Sequence, residues 1–226
     1  MTMRRPVCAA AAAALAALCF DQSAAAQTTS DQLARFAAGP YVGVARHSLV
    51  GTRLGVTPDR NHLFLGIHAT LNIWRTSRVA VGYAPEIVPL LIVSNNPEYL
   101  TVTTGGGRRF TVDDGRRSSV AGFAVSPIGV EGQLRVARSW RVYVAGAAGA
   151  VWFTREVPVA GSRAFNYTFE LGGGALWAIS RRDSLRVGYK FHHLSNAYTS
   201  PQNPGIDGAV ILLGVERGFG STVRRR

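Results

Sequence analysis

Apolar and polar positions alternate along most of the chain. The cleanest run is His62–Trp74. Leu63, Leu65, Ile67, Ala69, Leu71 and Ile73 fall on one side, and His62, Gly66, His68, Thr70 and Asn72 fall on the other, with Phe64 an exception. Successive side chains of a strand point to opposite faces, so this period of two predicts a β-strand with one apolar and one polar face. The same code predicts strands over Tyr41–Leu49, Val79–Ser94, Ser119–Val136, Arg141–Phe153 and Phe165–Ala178. Two more follow, one running to Ser195 and one from Asp207 to near Phe219. Pro85 and Pro89 predict a bend or bulge in the third strand, because proline cannot donate to a ladder.

Eight strands result. Short turns at Arg75–Arg78, Ala137–Trp140 and Ser180–Ser184 alternate with longer loops at Val50–Asn61, Asn95–Ser118, Thr154–Ala164 and Asn196–Ile206. That alternation is the habit of an all-β, eight-stranded antiparallel up-and-down transmembrane β-barrel, with short periplasmic turns and long outer loops. A soluble barrel would bury its apolar face. Here the polar faces carry Glu131, Arg135, Glu170, Arg186 and Lys190, too charged for an apolar ligand pocket and too sparse for a good exterior. His62 and His68 read as polar lumen residues, since no metal-ligand spacing accompanies them.

The chain of 226 residues has a formal net charge of +12, and its length suits one domain. Arg4 and Arg5, the apolar run Val7–Phe20 and Ala24-Ala25-Ala26 read as a cleaved export signal over residues 1–26. Leu18 before Cys19 is a poor fit to a lipoprotein signal. Cleavage after Ala26 removes both cysteines, two arginines and one aspartate, and takes the charge to +11. Residues 27–40 read as a short mobile lead-in, 41–219 as the barrel and 220–226 as a basic tail. The glycines 105–107 lack the Lys-Ser/Thr ending of a phosphate loop. The arginines of the long loops (Arg108, Arg109, Arg116, Arg117, Arg155 and Arg163) read either as a solvated rim or as contacts for lipid phosphates.

The chemistry gathers near the end of the chain. Leu185, Val187, Tyr189, Phe191, His193 and Ser195 share one strand face, while Arg186, Gly188, Lys190 and His192 share the other. On the next strand Asp207, Ala209, Ile211, Leu213 and Val215 share a face. A His, a Ser and an Asp therefore sit where two apolar faces meet a loop. Two residues along a strand span roughly 6–7 Å and neighbouring strands lie about 5 Å apart, so the three can assemble as a nucleophile, a base and an acid that orients the base. His192 points the other way, into the lumen.

The segment His193-Leu194-Ser195-Asn196, then Asn203-Pro204-Gly205, then Asp207, resembles the signature of the PagL-like lipid A 3-O-deacylases. Two positions depart from that pattern, Asp207 where Glu is expected and Tyr198 where a small residue often follows Asn-Ala. The resemblance implies an outer-membrane serine esterase that hydrolyses the 3-position acyl ester of lipid A. Ser195 would be its nucleophile, His193 its base and Asp207 the orienting acid. Backbone groups near Asn203 would hold the oxyanion, with Asn196 a weaker candidate. It implies no metal or organic cofactor, lipid A or lipopolysaccharide of the outer leaflet as partner, and no nucleic acid. A homodimer is compatible with it. The alternatives are a non-catalytic small barrel that binds lipopolysaccharide or a host surface, and a phospholipase or acyltransferase on the same architecture.

Overall fold

The computed structural model describes residues 33–49, 52 and 54–219. The expected export signal, most of the lead-in and the basic tail lie outside the described residues. Among the described residues nine strands form, β1 (Phe36–Ala45), β2 (Asn61–Arg75), β3 (Val79–Tyr83), β4 (Glu86–Thr103), β5 (Arg109–Arg135), β6 (Trp140–Val157), β7 (Arg163–Ala178), β8 (Asp183–Ser195) and β9 (Ile206–Phe219). β3 and β4 are two lengths of a single wall strand, since both lie between β2 and β5. The break falls at Ala84-Pro85, where proline has no N–H to give. Every pairing is antiparallel, and β9 returns to pair with β1. The wall is therefore a ring of eight strands without an edge, the form in which strands can cross a bilayer with every backbone polar group paired.

Several boundaries differ from the expected ones, with β1 ending at Ala45 rather than Leu49 and β6 running on to Val157, and two differences are larger. The first strand starts at Phe36, because Phe36 to Ala38 pair with both β2 and β9 to close the ring. The long loop expected at Asn95–Ser118 is mostly strand. β4 and β5 stay paired as far as Thr103 and Arg109, so this connection is a hairpin that continues past the wall with its tip at residues 104–108.

The alternation sets the inside and outside of the ring. Polar members point inward and pair there, as buried charges must. Arg186 bonds Glu131 and, at 3.1 Å, Glu216. Lys190 lies between Glu86 at 2.7 Å and Glu170 at 2.8 Å. A cavity of about 40 Å³ lies among Tyr41, Glu86, Tyr143, Glu170, Arg186 and Lys190, room for a few waters. Towards the long-loop end the lumen is filled instead by Phe64, Leu91, Val93, Val120, Val151, Leu194 and Val210. Phe64, the apparent exception in β2, belongs to this plug.

The outward positions are exposed and apolar, with Ile128 71 %, Val144 68 % and Ile211 62 % accessible. Such a continuous surface is what a bilayer covers. Aromatic pairs bound it. Trp140 stacks on Trp177 at 5.8 Å, and Phe36 meets Phe219 at 5.7 Å, at the short-turn end. Trp152, Phe165 and Tyr167 cluster at 4.9 and 5.1 Å at the other. From Tyr167 to Trp177 along β7, a tilted strand climbs about 25 Å, the height of an outer-membrane apolar band.

Candidate active site

β8 carries the site at its long-loop end. His192 and Leu194 face inward and are 1 % and 0 % accessible. The His192 ring sits 5.0 Å from Phe64 and 5.8 Å from His62. This packing fixes the strand, and by alternation it turns His193 and Ser195 to the outer surface. The register then supplies their neighbours. His193 is opposite Asp207 on β9, while on β7 Phe169 is opposite His193 and Tyr167 is opposite Ser195. Tyr167 and Phe169 are both exposed, so the polar trio is bordered by rings on the lipid-facing side.

The three side chains meet in a line. His193 Nδ1 lies 2.6 Å from Asp207 Oδ1, and His193 Nε2 lies 3.1 Å from Ser195 Oγ. With the ring proton on Nδ1, the imidazole donates to the carboxylate, and Nε2 is left to accept the Ser195 proton. A hydroxyl polarised by a base, whose tautomer is fixed by a buried acid, is an activated nucleophile.

Asp207 is fully buried even though it stands on the outer face of β9. The β1–β2 loop covers it. Leu49 N–H donates to the Asp207 carbonyl at 2.7 Å, Val56 N–H to Pro204 O at 2.8 Å and Thr57 N–H to Gly205 O at 3.3 Å. Both the Gly55 N–H, at 2.9 Å, and the Thr52 hydroxyl donate to Asp207 Oδ2. The turn-rich sequence of this segment predicts only a loop. A threonine and a glycine in a turn-rich stretch, 155 and 152 residues from the acid they touch, carry no local signal of that role.

The β8–β9 loop closes the other side. Asn196 N–H donates to Asn203 Oδ1 at 2.9 Å, and its side-chain amide donates to Ser200 Oγ at 2.9 Å and Gln202 O at 2.7 Å. All three N–H bonds of Asn196 are thus used inside the loop, so this residue braces the turn and has no donor left for an anion. Asn203 is held next to the end of β8 by the same contact. Gly205, at φ 61°, passes the imidazole edge closely. A Cβ there would lie 3.2 Å from His193 Cε1 and 3.0 Å from Leu54 O, so both conformation and space favour glycine. Tyr198, at φ 59°, is 85 % accessible and fills no packed pocket. Ser200 Oγ donates to Gly161 O at 3.0 Å, and Arg163 Nε to Thr199 O at 2.8 Å, which braces this loop on the β6–β7 connection.

Residues 92–216 match the sequence model of the family described as lipid A 3-O-deacylase (PagL). The chain belongs to this family. Two solved structures support the architecture. The outer membrane enzyme PagL aligns with a TM-score of 0.53 at 14 % identity, covering 80 % of this chain and 99 % of that one. Neisserial surface protein A aligns with a TM-score of 0.52 at 11 % identity, covering 83 % and 99 %. At such identities the likeness concerns the fold, an eight-stranded outer-membrane barrel. Among curated proteins, none matches the chain. The family match spans the strand pair with His193, Ser195 and Asp207 but not the β1–β2 loop that covers the acid.

The six loop arginines do not form one cluster. Arg108, Arg109, Arg116 and Arg117 belong to the β4–β5 hairpin, whose strands lie three and four places from β8 in the ring, and Arg117 pairs with Asp113 at 2.9 Å. Arg163 stands at the start of β7 and bonds the β8–β9 loop, next to the site, whereas Arg155 on β6 reaches towards β5, where its guanidinium donates to Ser118 Oγ. Among the described residues, no three His, Cys, Asp or Glu side chains gather as metal ligands.

Proposed function

We propose that this protein is an outer-membrane serine esterase that removes the ester-linked 3-position acyl chain of lipid A. The observation that carries the reading is His193 bridging Asp207 at 2.6 Å and Ser195 at 3.1 Å on the outer, lipid-facing wall of the barrel. Membership of the deacylase family supplies the substrate class. Nonspecific display of lipopolysaccharide would not call for an activated hydroxyl beside lipid.

Ser195 Oγ attacks the ester carbonyl carbon as its proton passes to His193 Nε2. Asp207 stays ionised and stabilises the imidazolium through the Nδ1 hydrogen bond. The carbonyl oxygen gains negative charge in the tetrahedral intermediate and needs preorganised donors. Backbone N–H groups around Asn203 are the candidates, because Asn196 spends its own in the loop. When the intermediate collapses, the C–O bond to the sugar breaks and His193 returns the proton to the leaving 3-oxygen. Water then attacks the acyl-Ser195 ester, again with His193 as base, and the fatty acid departs. An acyl chain in the outer leaflet can lie along Phe169 and Phe191 without crossing water. Arg163, beside the β8–β9 loop, is the arginine best situated to meet a lipid A phosphate.

Lipid A isolated from cells that carry the wild-type protein, compared by mass spectrometry with lipid A from cells carrying Ser195→Ala, tests this reading. Loss of a single 3-hydroxy fatty acid only with wild type supports it. Unchanged lipid A with a folded, abundant wild-type barrel favours a non-catalytic surface role.

A further inference from the structure

We infer that Thr52 and Gly55 of the β1–β2 loop are positioning residues for catalysis, acting through the Asp207 carboxylate. The inference rests on the reading of His193, Ser195 and Asp207 as a catalytic trio. Asp207 Oδ1 faces His193 at 2.6 Å. Its second oxygen, Oδ2, receives the Gly55 N–H at 2.9 Å and the Thr52 hydroxyl. Those two donors set the rotation of the carboxylate about its Cβ–Cγ bond, and with it the direction in which Oδ1 meets the imidazole. The Thr52 hydroxyl also lies 2.9 Å from Gly55 O. One proton serves one acceptor at a time, and the ionised carboxylate is the stronger of the two.

The glycine is required by space. A Cβ on Gly55 would sit 2.8 Å from both Cγ and Oδ1 of Asp207, a contact that moves either the loop or the acid. The loop comes this close because three backbone bonds, from Leu49, Val56 and Thr57, tie it to the segment Pro204–Asp207. The short acid and the close loop therefore form a matched pair. A carboxylate one methylene longer would push into the position that Gly55 occupies, so this chain carries Asp where its family resemblance calls for Glu. Burial follows from the same arrangement. The loop excludes water from Asp207 and replaces it with two donors, which aim the carboxylate at His193.

The test uses the full chain in detergent. It compares wild type with Thr52→Val, which keeps the shape and removes the hydroxyl, and with Thr52→Ser, which restores the hydroxyl. Lipid A turnover gives kcat and KM, and the labelling rate of Ser195 by an alkyl fluorophosphonate reports nucleophile activation without lipid A. Heat-dependent gel migration checks that each barrel is closed. Losing a hydrogen bond to a charged group predicts that Thr52→Val lowers kcat and the labelling rate roughly tenfold to a hundredfold. KM should stay within about twofold, since substrate contacts are untouched, and Thr52→Ser should recover most of the loss. Gly55→Ala should lose activity as Thr52→Val does. Wild-type rates in Thr52→Val, or a Thr52→Ser variant as slow as Thr52→Val, overturns the inference. Labelling of Ser195 that depends on Thr52 while lipid A stays intact would sustain this role and refute the substrate. No labelling of wild-type Ser195 would remove both.

Discussion

Replacing Asp207 with asparagine changes one atom of a carboxylate that accepts three hydrogen bonds, from His193 Nδ1–H, from Gly55 N–H and from the Thr52 hydroxyl. The amide has one acceptor oxygen and one donor nitrogen. If the nitrogen faces the loop, it opposes the Gly55 N–H and leaves a buried donor unpaired, at a cost of about 1–3 kcal/mol in stability. If it faces His193, it donates to Nδ1 and forces the ring proton onto Nε2, where it opposes removal of the Ser195 proton. In either orientation the neutral amide also withdraws the charge that balances the imidazolium. Either way kcat is expected to fall by roughly three to four orders of magnitude, the scale of an acid-to-amide change in a serine triad. The assay is release of 3-hydroxy fatty acid from lipid A in detergent by a variant whose heat-dependent gel migration matches wild type. Activity within tenfold of wild type would show that the site works as a Ser–His dyad, and the role given to Asp207 would be wrong.

His193→Ala should cost several orders of magnitude in turnover, because base and nucleophile act as a unit, whereas His192→Ala should keep most activity since that ring packs against Phe64 and His62 inside the lumen. Comparable losses in two folded variants would mean that strand parity is shifted by one. Asp207→Glu should be slower than wild type, because the added methylene drives the carboxylate towards Gly55; a faster variant would refute the matched loop and acid. Lys190→Met leaves Glu86 and Glu170 facing each other in the lumen without their shared cation, so the barrel should lose about 3–5 kcal/mol, read from its unfolding in denaturant. Charge reversal at Arg163 should reduce turnover of lipid A more than turnover of a neutral ester, and reversal at Arg108 and Arg109, across the ring, should reduce it less.

The barrel was legible in the sequence because each wall strand has one face in lipid and one in a polar lumen. That contrast repeats the two-residue period in strand after strand. It failed where other forces decide. Gly, Pro and Ser around residues 95–118 look like a loop, yet cross-strand pairs such as Leu100 with Val112 and Val102 with Phe110 extend the hairpin. Phe36 to Ala38 have too short a pattern to declare a strand, and closure of the ring recruits them. Phe64 broke the alternation because the long-loop end of the lumen is filled by apolar side chains. In the candidate site, parity on β8 and the start of β9 brought His193, Ser195 and Asp207 together, since strand geometry fixes those distances locally. The donors to Asp207 Oδ2 were illegible, because a loop meets the acid only after the ring has closed. Asn196 is the weaker oxyanion candidate that the family resemblance implies, and the loop geometry assigns its N–H groups elsewhere.

If Ser195 is the nucleophile that opens an ester of lipid A, the mass of lipid A reports it directly. The protein and its Ser195→Ala variant are produced to equal levels in the same outer membrane, and the lipid A of each is weighed. Wild type is expected to shift lipid A down by the mass of one 3-hydroxyacyl chain, and Ser195→Ala to leave it unchanged. The same downward shift with Ser195→Ala would contradict the assignment of the nucleophile, and no shift with a folded wild-type barrel would contradict the activity itself.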